Sequence, residues 1–206
     1  MDNFVAFDLE TTGFSPDTCE IIEVGAWKFK DGKTEKFSEL VKPRVLLGYD
    51  IQNLTHITNS MLEDALTIEE VIPMFYDFCE DLPFLGHNLK FDYSFITRKG
   101  AILGYDFSRN KTRRGIDTYA LSRTYLNNCP SHKLQNVAEY FKIDVKVKDS
   151  TAYHRAWYDA YITKLVYDRF KYLFGNIVGV SEPQLLDVES TEKLGRITNT
   201  DTLAFT

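Results

Sequence analysis

The sequence predicts an α/β fold: one mixed sheet, an antiparallel meander followed by parallel strands, with helices on its faces. Two observations carry the prediction. Three apolar, aromatic-rich stretches follow one another within the first 41 residues, and Asp31-Gly32 stands between the second and third. An Asp-Gly pair between two such stretches favours a tight hairpin turn. From residue 67 onward, short apolar runs alternate with helical patterns, the order that lays helices over a sheet. A chain of 206 residues is long enough to bury a sizeable core as one large domain, or one domain and a tail.

Residues 3–9 read as the first strand, Ile21 to Phe29 as the second and Thr34 to Val41 as the third. Thr67-Ile-Glu-Glu70 fits a capping box and starts a helix that ends near Asp81. Pro73 falls inside it and should either kink it or delay its start. Residues 83–88 read as a short buried strand, followed by a helix from Lys90 to Lys99 that Gly100 stops. Gly115 to Asp117 is a further strand, and helical patterns cover Tyr119–Leu126, Lys133–Phe141 and Arg155–Leu173. The last 32 residues, 175–206, hold 11 hydrophobic side chains and two basic against five acidic ones. They read as a flexible or weakly packed tail after a domain spanning 1–174.

Charge and cysteine content exclude several functions. The sum 24 − 30 gives a net charge of −6, which argues against a broad basic surface for nucleic acid. It leaves open an enzyme that gathers carboxylates around cations, because bound ions reverse the local sign. Cys19, Cys79 and Cys129 form no Cys-x-x-Cys pair, so they read as reduced thiols rather than a zinc site or a disulfide framework. No apolar run reaches the roughly 18–20 residues that cross a bilayer, and the N-terminus lacks the features of a signal peptide. A cytoplasmic location without membrane contact is the expectation.

The most informative stretch is Phe7-Asp8-Leu9-Glu10-Thr11-Thr12-Gly13. Residues two apart in a strand share a face, so Asp8 and Glu10 point one way and Val5, Phe7 and Leu9 the other. Neighbouring acids repel, and a divalent cation between them relieves the repulsion; oxygen ligands suit Mg²⁺ or Mn²⁺ better than zinc. A solvent-facing polar edge is the alternative. Asp92 follows a strand end and opens a helix. It either complements the helix dipole or joins a site at the carboxyl end of the sheet. His154 and Asp159 are five apart, so on one regular helix they would not share a face; with His154 on the loop before the helix, both reach one site.

Taken in order, Phe7-Asp8-Leu9-Glu10-Thr11-Thr12-Gly13, His87-Asn88-x-x-Phe91-Asp92 and His154-Arg155-Ala156-x-x-Asp159-Ala160 resemble the three motifs of the DEDDh 3′→5′ exonucleases. The similarity is to the DnaQ-like proofreading group, whose fold is RNase H-like. Ile116-Asp117-Thr118-Tyr119-Ala120-Leu121 and Lys133-Leu134-Gln135-Asn136-Val137-Ala138 also resemble that group. Leu54-Thr55-His56-Ile57-Thr58 resembles the form seen in exonuclease modules of Gram-positive replicative polymerases. The resemblance covers residues 3–174.

What the resemblance implies is specific. Asp8, Glu10, Asp92 and Asp159 would bind two divalent ions, Mg²⁺ or Mn²⁺, and His154 would be the general base. Such pairs of ions, about 3.5–4 Å apart, stabilise the attacking and leaving oxygens of a phosphodiester. The substrate would be a single-stranded nucleic acid 3′ end, DNA favoured over RNA, released as nucleoside 5′-monophosphates in proofreading, repair or processing. Thr11 would meet the terminal 3′-hydroxyl and Asn88 would support the scissile nucleotide. Phe14, Phe91 and Leu54 are candidates for base stacking or wedging, with a core role an equal expectation for each. Arg109 to Arg114, four basic residues in six, would contact phosphates or form a solvated loop; Lys90, Arg98 and Lys99 could add to that path. Trp157 and Tyr158 would pack the last helix. A polymerase subunit is a possible partner through the tail. An RNA exonuclease on the same fold is the alternative. An idle binding scaffold is a third reading, against which the intact set of acids weighs.

Overall fold

A computed structural model describes residues 3–110, 115–144 and 155–175. Strands β1 (Phe4–Thr11), β2 (Ile21–Lys30) and β3 (Lys33–Leu40) form the expected meander. Asp31 and Gly32 both take positive φ at its hairpin, as a primed turn requires. Strands β4 (Phe84–Gly86) and β5 (Ile116–Asp117) add in parallel on the other side of β1, giving the order β3-β2-β1-β4-β5. The strand bearing the acids is therefore central.

That placement explains its composition. Val5, Phe7 and Leu9 join one core with Val71, Ile72 and Phe75 of α2 (Ile68–Cys79) and Phe95 of α3 (Leu89–Ile102). Phe4 and Ala6 face a second core, built with Leu121 of α4 (Thr118–Tyr125), Val137 of α5 (Leu134–Tyr140) and Val166 and Phe170 of α6 (Ala156–Phe174). Helices cover both faces, as predicted. Phe174 is buried and stacks on Tyr125, so the packed body reaches the end of α6.

Local signals succeed and fail for identifiable reasons. Thr67 and Glu70 form the capping box reciprocally, and α2 starts directly after it. Pro73 therefore does not delay the helix. Gly100 does not end α3, contrary to expectation. A Cβ there would come within 2.7 Å of the Phe107 ring, so Gly100 is a packing residue inside the helix. The turn falls at Gly104, whose φ of 84° suits glycine. Three elements lie outside the predicted series: α1 (Tyr49–Thr55) and 3₁₀ turns at Asn59–Leu62 and Phe107–Asn110. Leu62 of the first turn and the neighbouring Leu47 and Ile57 bury beside Ile22. The three cysteines are free thiols. Among the described residues, no helix is long and apolar enough to cross a membrane.

Candidate active site

Asp8 and Glu10 lie on the face of β1 opposite Phe7 and Leu9, paired across β2 with Gly25 and Glu23. The register shifts immediately after Glu10, the kind of irregularity that re-aims side chains beside active sites. Asp159 arrives from the first turns of α6. One carboxylate oxygen from each of Asp8, Glu10 and Asp159 lies within 4.8 Å of the other two, and all three residues are half-buried. Asp92 comes from the first turn of α3, is almost fully buried, and accepts the Leu9 backbone N–H at 3.1 Å. Through that bond it is held against β1.

The electrostatics match the crowding. Burial, then the charges of Asp92 and Asp159, hold the Asp8 carboxyl well above its ordinary range. Burial, then Asp159 and Glu23, push Glu10 up to about 9, with Arg155 opposing. Burial lifts Asp92 to about 8 against the pull of backbone N–H donors, and burial with Glu23 lifts Asp159 to about 6. Four acids that resist ionising together call for a cation. Their oxygen-only donor set fits a hard divalent ion.

A pH dependence follows with a definite sign. Acids raised above an unfolded value of about 4 leave the metal-free folded chain holding protons that the unfolded chain has released. Stability therefore falls as pH rises through the folded values. Between pH 7 and 9 Asp92 and Glu10 contribute, and Asp8 acts in the same sense. At lower pH His87 acts oppositely, because burial lowers it to about 4. In EDTA the melting temperature should drop from pH 7 to 9, by about 2–4 °C per kcal/mol lost for a chain of this size. Mn²⁺ should reduce the drop; a flat or rising profile in EDTA would contradict the crowding.

The remaining candidates separate. Thr11 donates its hydroxyl to the Gly13 carbonyl at 2.7 Å and shapes the turn after β1. Asn88 is exposed in the left-handed conformation, φ 64°, with its N–H on Asp117 Oδ1. Asp117 also accepts the N–H of Tyr119 and so caps α4. Phe14 is 87% exposed and Leu54 65%, so neither belongs to the core; the Phe14 ring meets Phe91 edge-on at 6.4 Å. Phe91 packs partly on the core beneath. Arg98 pairs with Asp17, and Lys99 donates to the Pro16 carbonyl. These two cations therefore tie down the loop after β1. Trp157 packs as expected, its ring under Lys36 and its carbonyl accepting Trp27 Nε1–H. His87 donates Nε2–H to the His132 carbonyl and is a structural group. His154, Lys111 to Arg114 and residues 176–206 lie outside the described residues.

Sequence reading missed Glu23 and Arg155. Glu23 is fully buried next to the acid cluster and paired to Arg155. The available signal was an acid within the otherwise apolar run Ile21-Ile22-Glu23-Val24.

Carboxylates converging from a central strand and two helices, on a sheet of this order, define a hydrolase of RNase H-like fold centred on an acidic cluster. Comparison with known proteins narrows that class. A family model described as "Exonuclease" (RNase T type) matches residues 5–167. The chain belongs to that exonuclease family, in its DnaQ-like 3′→5′ branch. It is 39% identical over 165 residues to a PolC-type DNA polymerase III of Staphylococcus haemolyticus, a match covering 80% of this chain. The corresponding polymerase of Caldanaerobacter subterraneus is 38% identical over 165 residues. The chain spans only 11% of the length of these curated relatives. Among solved structures, Exonuclease X in complex with 5′ overhanging duplex DNA is 26% identical, with a TM-score of 0.62, covering 85% of this chain and 93% of that one. Exonuclease I of E. coli in complex with a dA16 oligonucleotide has a TM-score of 0.70 at 16% identity, covering 85% of this chain and 42% of that one. At that identity the likeness concerns the fold.

Proposed function

We propose that this chain is a metal-dependent 3′→5′ exonuclease that releases nucleoside 5′-monophosphates from single-stranded DNA 3′ ends in proofreading, repair or processing. The observation that carries the reading is the meeting of Asp8, Glu10 and Asp159 within 4.8 Å, with Asp92 alongside. These four acids would hold two divalent ions, Mg²⁺ or Mn²⁺. When bound, the ions supply positive charge to a phosphodiester and make a water molecule more acidic. The chain's own groups do the rest. His154, one residue before Arg155 in sequence, accepts a proton from the attacking water, a role for which a neutral imidazole is suited. Thr11 and the turn after Glu10 receive the terminal sugar, and Asn88 supports the neighbouring nucleotide. Exposed Phe14 and Leu54, with Phe91 against Phe14, offer apolar faces to unstacked bases.

DNA is favoured over RNA because the relatives matched at 38–39% identity are DNA polymerases. By the same comparison, a polymerase is the candidate partner, with residues 175–206 as tether. The test is digestion of matched 5′-labelled DNA and RNA oligonucleotides with Mg²⁺ or Mn²⁺, using the full chain and a chain ending at Gly175. A descending ladder on DNA, with much slower loss of RNA, supports the assignment; equal or faster loss of RNA shifts it to RNA. The shorter chain keeps Phe174 and its buried contacts and should cut short DNA within a few-fold of the full chain, since an acidic tail gains nothing from phosphates. A large loss would place residues 176–206 in the working enzyme.

A further inference from the structure

The acid furthest in sequence from the others, Asp159, depends on where α6 begins, and three alternate residues of β2 decide that. Glu23, Gly25 and Trp27 stand opposite Glu10, Asp8 and Ala6 in the antiparallel register and so share their face. Each meets the first turn of α6. Glu23, with no solvent exposure, accepts Arg155 Nε–H at 2.9 Å and a second guanidinium nitrogen at 2.8 Å on one oxygen, and the Ala156 backbone N–H at 3.1 Å on the other. At Gly25 the helix backbone lies directly on the strand: an added Cβ would sit 1.9 Å from the Trp157 nitrogen. Trp27 Nε1–H donates to the Trp157 carbonyl at 2.7 Å. Four polar contacts and a bare backbone thus fix three consecutive residues, 155–157, two positions before Asp159.

A buried ion pair is a poor source of net stability, because desolvation offsets the attraction. What a carboxylate bound at several points supplies is geometry. The chemistry of an acid cluster tolerates little displacement, and outer groups that orient ligands typically carry 10–100-fold effects. We propose that Glu23 and Arg155, with Gly25 and Trp27 beneath, form a clamp that sets the start of α6 and holds Asp159 against Asp8 and Glu10. They are positioning residues rather than catalytic ones, and the proposal rests on the exonuclease reading above.

Arg155→Lys keeps the charge and loses the fork, while Trp27→Phe keeps a ring and loses only the hydrogen bond. Four quantities decide the matter for each purified full-length variant: kcat and KM on a single-stranded DNA oligonucleotide, Mn²⁺ affinity by calorimetry without DNA, and melting temperature. Arg155→Lys should lower kcat and weaken Mn²⁺ binding by about 10–100-fold, with KM for DNA nearly unchanged. Trp27→Phe should move both in the same direction by less, and tests the clamp even if Arg155→Lys does not fold. A fall in melting temperature with wild-type kcat and Mn²⁺ affinity, measured well below the melt, would make the contacts merely structural and overturn the proposal. A wild-type chain that neither binds Mn²⁺ nor degrades DNA would instead overturn the exonuclease reading, and the clamp's role with it.

Discussion

Asp8→Ala should abolish DNA cleavage while leaving the fold intact. Asp8 sits on the central strand, where burial and then the charges of Asp92, Asp159 and Glu10 raise its carboxyl, so the wild-type metal-free protein carries a desolvation and repulsion cost that the substitution removes. Alanine at this strand position removes a half-buried carboxylate and no core side chain; Phe7 and Leu9 face the other way. Melting temperature in EDTA should therefore hold or rise slightly. Activity should depend on the same group in the opposite sense. Metal-borne charge at a phosphoryl centre is worth several kcal/mol, and at about 1.4 kcal/mol per tenfold its loss is a fall of about 10³-fold or more. The contrast between unchanged stability and lost turnover separates a site residue from a structural one. Retained cleavage would remove the metal assignment.

His154→Ala is the second large effect. A positioned proton acceptor typically contributes about 10²–10⁴-fold to turnover, so kcat should fall by that much at neutral pH. Mn²⁺ affinity should change little, because the ions are assigned to the four carboxylates. If metal binding falls together with turnover, His154 is a ligand and its assignment as base is wrong. Asp8→Ala and His154→Ala thus divide the site: one should lose metal and rate together, the other rate alone.

What sequence reading could and could not reach follows from the range of each signal. The shared face of Asp8 and Glu10 is a strand's two-residue period, and it holds even though β1 is buried on both faces through Phe4, Ala6, Val5 and Phe7. The Thr67–Glu70 capping box is equally local, and its helix starts where it points. Gly100 misled because glycine carries two meanings: backbone freedom at Gly104, and bare space against Phe107 at Gly100. Helix α1 escaped notice because Tyr49 and Leu54 are exposed and set no apolar period. Glu23 was visible as an oddity in a buried strand, but its partner Arg155 lies 132 residues away, beyond any local rule. The acids themselves were found through ordered motifs; that three of them meet is a fact of the fold.

The most direct test of the central claim uses one DNA oligonucleotide labelled at either end, with Mg²⁺ or with EDTA. With Mg²⁺, 3′-label should leave at once as a mononucleotide while 5′-labelled strands shorten one residue at a time; in EDTA both should persist. Internal cuts, release of 5′-label first, or unchanged cleavage in EDTA would contradict a metal-dependent 3′→5′ exonuclease built on Asp8, Glu10, Asp92 and Asp159.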